Sequence, residues 1–231
     1  MQNPYACPTC PDRASLLAAE PATVRLHTNG TTWTKQSAQT PVHLVAIFRE
    51  PGISNNRIVP TVLDLWVQQD GSSLAAGRRC WIKPLLKALS GLPPGLTVAL
   101  DNGVRCPCPQ HTGGYHERIN HCVGQTQHWL EGLVHPNGGQ PGLLLCDKDL
   151  ACSYSKLGLL LRQEDKQAWQ APFRFIDAVG EEVLFVSGKT TYDGLILAHP
   201  VLFSHQHARA YIDAFQLKGV VQRLVTLSRI A

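Results

Sequence analysis

The sequence predicts an α+β fold: a single domain with a mixed or mainly antiparallel sheet and three to four helices. Short apolar and β-branched runs, separated by turns that contain Gly and Asn, recur along most of the chain. Only a few segments carry the apolar spacing that is typical of a helix. Because strands and helices do not alternate regularly, the pattern favours α+β over a doubly wound parallel sheet.

Strands are predicted wherever an apolar or alternating run lies between two turns. Residues 23–27 and 31–35 flank Asn29-Gly30, a pair that is typical of a two-residue hairpin turn. The other predicted strands are 43–49 paired with 61–68 through a longer loop, the central strands 95–100 and 142–146, 173–179 paired with 181–187 around Gly180, and 194–199.

The clearest predicted helix runs from about Glu117 to Val134, where apolar residues recur at helical spacing and form one face. Three further helices are predicted, of which the last has Ser204 as its N-cap and Gly219 as its terminator. They are 84–90, 155–169 and 204–219.

Composition limits the class of protein. The chain has 231 residues, 44% of them hydrophobic and only 16% charged, so we expect one folded domain over 1–231, with a possible soft boundary near 136–141. The net charge of +4 neither requires nor excludes a nucleic-acid partner. No signal peptide and no apolar run of membrane-spanning length is visible, which predicts a cytoplasmic protein without a membrane partner.

Two cysteine-rich segments predict a structural zinc site. Cys7 and Cys10 have the spacing of a zinc knuckle, and prolines stiffen both this segment and the one that holds Cys106, Cys108 and His111. Together they offer four cysteines, or three cysteines and one histidine. Such a closed site has no open position for a substrate. The alternative is a set of reduced cysteines in ordinary turns.

The segment from His116 to His121 holds the candidate catalytic residues. It departs from the metalloprotease pattern H-E-x-x-H, because its histidines are five residues apart and lie about 140° around a regular helix. Glu117 and His121 are four apart and share one helical face. This face can bind a metal ion or align an acid–base pair, or it is simply solvated. Under the enzyme hypothesis His116 or Glu117 is the acid–base residue.

The sequence "GGYHER" resembles the Gly-Gly-x-His-Arg phosphate loop of the ParB/sulfiredoxin-like fold, with Glu117 as an extra residue between His116 and Arg118. The resemblance implies that Gly113, Gly114 and Arg118 bind phosphate. It also implies nucleotide or DNA-backbone binding, with phosphodiester chemistry.

A basic segment forms a second candidate phosphate or nucleic-acid site. Arg78, Arg79 and Lys83 lie close to Trp81, and arginine, lysine and an aromatic ring together suit a backbone phosphate and a stacked base. The alternative is a solvated basic edge with Trp81 in the core. Asp147 and Asp149 follow a predicted strand, where catalytic acids often lie, although an ordinary turn explains them equally well.

These patterns lead to two hypotheses of different classes. The first is a zinc-stabilised binding or regulatory protein that contacts a protein or nucleic-acid partner. The second is an enzyme that processes phosphodiesters or nucleotides, with its site at residues 113–121.

Overall fold

The computed structural model describes residues 36–37, 39–49, 94–104, 115–197, 213 and 219–229, and the backbone of the strands within 22–26, 33–35, 52–54 and 57–59. The strands are β1 (Ala22–Leu26), β2 (Trp33–Gln36), β3 (Leu44–Phe48), β4 (Gly52–Ser54), β5 (Arg57–Val59), β6 (Thr97–Asn102), β7 (Gly142–Leu145), β8 (Leu160–Arg162), β9 (Glu182–Ser187) and β10 (Thr190–Ile196). The helices are α1 (Tyr115–Glu131), α2 (Lys148–Lys156), α3 (Phe175–Ala178) and α4 (Val220–Ser228).

Eight strands form one mixed sheet in the order β2-β1-β6-β3-β7-β10-β9-β8. The four central strands, β6, β3, β7 and β10, are parallel to one another, and the outer strands on both sides pair antiparallel. Strands β4 and β5 form a separate antiparallel pair. The predicted α+β class with a mixed sheet is therefore confirmed, and the four helices bounded within the described residues fit the predicted number.

The first predicted hairpin is confirmed by strands β1 and β2. They pair antiparallel with Leu26 opposite Trp33, which centres the hairpin on Asn29-Gly30 as the sequence predicts. The turn residues themselves lie outside the described part of the chain.

Strand β3 corrects the second predicted pair. It runs between β6 and β7, so both of its edges are occupied, and the predicted pairing of 43–49 with 61–68 is wrong. Residues 61–68 lie outside the described residues. All five residues of β3 are buried, as is usual for a parallel strand covered on both faces. The continuous apolar run at 44–48 is typical of such a strand.

The third predicted hairpin is displaced along the chain. Residues 175–178 form the short helix α3, and β9 pairs with β10 instead, with Ser187 opposite Thr190. The turn is Gly188-Lys189, and Gly188 has a φ of 58°. A glycine with positive φ at the first position of a two-residue turn matches the twist of a hairpin.

The helix predicted at 155–169 is also wrong. Helix α2 starts after Asp147 and ends at Lys156, Gly158 has a φ of 70°, and the chain then enters β8. Gly219, predicted as the terminator of the helix at 204–219, has a positive φ of 59° and is the N-cap of α4. The predicted helix at 84–90, and that at 204–219 except for Asp213 and Gly219, lie outside the described residues.

Helices α1 and α2 cover one face of the central sheet. The connections from β6 to β7 and from β7 to β10 lead in the same direction, which places both helices on one side under the right-handed crossover rule. The shared core there includes residues from strands and helices, among them Val45, Ile47, Leu143, Leu145, Ile119, Leu130, Leu150 and Tyr154. Among the described helices, none has both the length and the apolar character needed to cross a membrane.

Candidate functional site at the carboxyl edge of the sheet

The order of the parallel strands creates one distinctive position at their carboxyl edge. From β3 the chain continues to β6 on one side, whereas from β7 it continues to β10 on the other side. β3 and β7 are neighbours, and the chain leads from them to strands on opposite sides of this pair. In open α/β sheets, ligands bind in the crevice at such a switch point.

Arg49 follows β3 at this switch point and reaches the start of α2. Its Nη1 lies 2.8 Å from Oδ2 of Asp149, at the start of α2. The two side chains are 38% and 50% exposed, so the pair contributes little to stability, about 0–1 kcal/mol. The ion pair matters because it holds the guanidinium group of Arg49 at the switch point.

Tyr115 joins the start of α1 to the same switch point through Arg49. Its hydroxyl donates to the carbonyl oxygen of Arg49 at 3.0 Å. The guanidinium carbons of Arg49 and Arg118 lie 4.6 Å and 5.6 Å from the centre of the Tyr115 ring. Cation–π contact with one ring thus brings two positive groups close together. Such a pair favours an anionic ligand.

Asp147 leaves β7 beside Arg49. The register pairs Ile47 with Leu145, and Arg49 and Asp147 each lie two residues further on. Oδ1 of Asp147 accepts from the backbone N–H groups of Asp149 and Leu150 at 2.8 Å and 3.1 Å, which makes Asp147 the N-cap of α2.

Burial changes the acidity of Asp147. The residue is only 7% exposed, and desolvation raises the pKa of its carboxyl to about 6. The charge of Asp149 raises this pKa further, whereas the N–H donors of the cap and the charge of Arg49 lower it. The end of β7 therefore holds a carboxyl group whose pKa is about 6.

The end of β6 adds a second buried acid. Asp101 is 3% exposed, and its Oδ1 accepts from the N–H of Asn102 at 2.8 Å. Asp101 pairs with Ile47, whose side chain belongs to the core under α1 and α2, so Asp101 lies on the helix-covered face. Within the described residues, Oδ1 of Asn102 is buried without a hydrogen-bond partner.

Cys146, the residue before Asp147, carries a buried thiol. Desolvation, with a smaller effect of the Asp147 charge, raises the pKa of this thiol well above the ordinary value. A protonated buried thiol is unreactive. Across the described ranges, no group of three or more His, Cys, Asp or Glu side chains is arranged to hold a metal ion. The described side chains at this edge, Arg49, Arg118 and Asp147, suit anion binding and proton exchange.

The predicted catalytic residues lie on the first turns of α1, next to Tyr115. Glu117 and His121 are on the exposed face, opposite the buried Ile119 and Cys122, as the helical spacing predicts. Nδ1 of His116 is buried and has no hydrogen-bond partner within the part of the chain described here. Arg118, predicted to bind phosphate, lies in the first turn beside Tyr115.

Most of the other predicted site residues lie outside the described residues, so the zinc site and the basic segment stay predictions. They are Cys7, Cys10, Cys106, Cys108 and His111 of the zinc site, Gly113 and Gly114 of the glycine entry, and Arg78, Arg79 and Lys83 of the basic segment.

Sequence reasoning missed Arg49 and Tyr115 and gave too little weight to Asp147. The usable signal was the position of polar residues directly after apolar strands, "VAIFR" at 45–49 and "LLLCD" at 143–147. Only the parallel pairing of those strands shows that the residues meet. Comparison of the chain with family models and with curated proteins finds no match. The site therefore rests on its geometry.

Proposed function

We propose that the chain binds a phosphate-bearing ligand, a nucleotide or a nucleic-acid backbone, at the carboxyl edge of its parallel strands. The observation that carries the proposal is the position of Arg49. It emerges at the switch point between β3 and β7, shares the Tyr115 ring with Arg118, and faces the start of α2.

The chemistry of arginine supports a phosphate in particular. The planar guanidinium group presents several N–H donors in a fixed fork that matches two phosphate oxygens. Two such groups beside one ring, at the edge where sheets of this kind bind ligands, form a suitable anion site.

In the structure, Oδ2 of Asp149 forms an ion pair with Nη1 of Arg49 at 2.8 Å. An incoming phosphate therefore competes with Asp149 for the same guanidinium group. Asp101 and Asp147 add negative charge nearby, so we expect binding to strengthen as Asp147 gains its proton below a pH of about 6.

A processing enzyme is the second candidate function, and one observation favours it. The carboxyl of Asp147, with its pKa near 6, is suited to general acid–base catalysis at neutral pH. His116 and Glu117 remain the residues that the sequence predicts for this role. Hydrolysis of a nucleotide or phosphodiester that is lost in both Asp147→Asn and His116→Ala, with binding retained, supports the enzyme.

The binding proposal is tested by titrating the purified chain with a fluorescent nucleotide and with labelled single-stranded DNA and RNA, at low salt with Mg²⁺. We expect Arg49→Gln to weaken binding about tenfold or more, because a charge-assisted hydrogen bond contributes about 1.5–3 kcal/mol. Arg118→Gln should weaken it as well. Asp149→Asn should strengthen binding, since it removes the competing carboxylate.

Arg162→Gln is the matched control. Arg162 also lies in an exposed ion pair, with Glu164, but on β8 at the far edge of the sheet. Equal affinities of wild type, Arg49→Gln and Asp149→Asn for every probe would overturn the proposal. So would a loss of affinity in Arg162→Gln as large as that in Arg49→Gln.

A further inference from the structure

A pair of histidines lies beside the end of α4, well outside the candidate phosphate site. His135 is almost completely buried, with 1% of its surface exposed. Its Nδ1 accepts from the backbone N–H of Asn137 at 3.1 Å, and its Nε2 lies 2.8 Å from the carbonyl oxygen of Ser228. A backbone N–H can only donate and a carbonyl can only accept, so these contacts assign the ring proton to Nε2 and leave Nδ1 as the acceptor.

His43, just before β3, is held in the same state. Its Nδ1 accepts from the backbone N–H of Thr97 at 3.1 Å. The rings of His43 and His135 meet edge to face, with their centres 5.3 Å apart and their planes at 87°. Two half-buried or buried rings that both accept from backbone N–H groups are therefore in direct contact.

The segment 135–140 also holds the end of α4. Nδ2 of Asn137 donates to the carbonyl oxygen of Arg229 at 3.1 Å. Arg229 in turn binds Asp193 on β10 through Nη2 at 3.0 Å and approaches the carbonyl oxygen of Gln140 at 3.5 Å. Leu227 packs closely on Gly142, and a methyl group on Gly142 would overlap the side chain of Leu227.

We propose that the contact of His43 with His135 is an acid-sensitive latch, and that its protonation releases the end of α4 from segment 135–140. A protonated Nδ1 becomes a donor and faces the N–H donor of Asn137 or Thr97, so that hydrogen bond is lost. Two charged rings with their centres 5.3 Å apart also repel each other. The turn that positions Asn137 then opens, and the contact of Asn137 with Arg229 is lost with it.

Charged groups on the neighbouring elements are engaged with one another. Among the described residues, Arg229 adds a further positive charge and is held by Asp193, while Glu131 and His128 pair with each other at the end of α1. The bond from Nε2 of His135 to Ser228 survives protonation and is favoured by the negative end of the helix dipole. Protonation nevertheless leaves the charged His135 ring buried beside a second ring. Burial of such a charge destabilises the closed state of the latch.

The latch is tested by hydrogen exchange of the whole chain at pH 7.5 and pH 5, expressed as protection factors so that the intrinsic pH dependence of exchange is removed. We expect the amides of residues 224–228 to lose protection about tenfold or more at pH 5, while those in the middle of α1 keep theirs. In His135→Gln the amide of Gln can still donate to Ser228 but cannot gain a proton, so the pH effect should disappear.

Two further variants keep the test decisive. His43→Asn retains an acceptor for Thr97 and removes one titrating ring, and it should reduce the pH effect even if His135→Gln fails to fold. His128→Gln changes an exposed histidine and should leave the effect intact. Protection of α4 that is independent of pH in the wild type, or an unchanged pH effect in His43→Asn, overturns the latch.

Discussion

Asp147 combines a structural role with a titratable one in a single side chain. Because its Oδ1 caps α2, the carboxyl is fixed where only 7% of the residue reaches solvent. Burial raises its pKa from 3.8 to about 6. The folded state therefore binds this proton more tightly than the unfolded chain does, and the stabilising contribution is fully present below a pH of about 4.

The raised pKa of Asp147 leads to a prediction for the Asp147→Asn variant. Asparagine is also a good N-cap residue, but it has no titrating group. As pH rises from 4 through 6, the wild type should lose on the order of 2 kcal/mol of unfolding free energy relative to the variant. Urea unfolding of both proteins between pH 4 and 7.5 measures the difference. A difference that is constant with pH would contradict the raised pKa.

Gly103 shows that a residue without a side chain can determine packing. It follows β6, and a methyl group there would overlap Cδ1 of Leu150 and lie 2.9 Å from Cδ1 of Ile119. The close approach of α1 and α2 to the carboxyl edge of β6 depends on this glycine.

We therefore expect Gly103→Ala to destabilise the fold by about 1–3 kcal/mol through overpacking. Gly124→Ala is the matched control, since Gly124 lies within α1 with no atom near the new methyl group. It should stabilise the protein by roughly 0.5–1 kcal/mol, as alanine does in a helix. Urea unfolding checks both, and effects of the same sign would refute the packing argument.

At the scale of elements, the boundary between α2 and β8 is where the sequence was most misleading. "SKLGLLLRQEDKQAW" has helical spacing, but its apolar residues Leu160 and Trp169 are buried in the sheet core from a strand and the turn after it. The backbone N–H of Trp169 donates to the carbonyl oxygen of Leu160 at 2.9 Å, which closes this turn. Helical periodicity over so short a run does not exclude a strand.

The Gly158→Ala variant distinguishes a helix that continues through residue 158 from the observed helix α2, which ends at Lys156. A helix that continued through residue 158 would be stabilised by alanine. In the structure Gly158 has a φ of 70°, so the left-handed conformation after α2 should cost alanine about 1–2 kcal/mol, although no atom obstructs the methyl group. A raised melting temperature of Gly158→Ala would show that α2 extends further than observed.

At the scale of the whole molecule, the predicted zinc site would tie Cys7 and Cys10 to the segment of Cys106, Cys108 and His111, all outside the described residues. We expect about one zinc ion per chain in the purified protein and a lower melting temperature after chelation. Cys7→Ser should lose the zinc. Cys152→Ser, which changes a half-buried thiol on α2, should keep it. Metal-free protein of unchanged stability would exclude the site.

The sequence by itself determined the α+β class, the hairpin centred on Asn29-Gly30, and helix α1 with its buried and exposed faces. These follow from local periodicity and turn chemistry, which act over a few residues. Only the tertiary structure decided that β3 lies between β6 and β7, and thus that Arg49, Tyr115 and Asp147 meet at one edge. Parallel pairing joins residues far apart in the chain, and no local pattern specifies which apolar strands become neighbours.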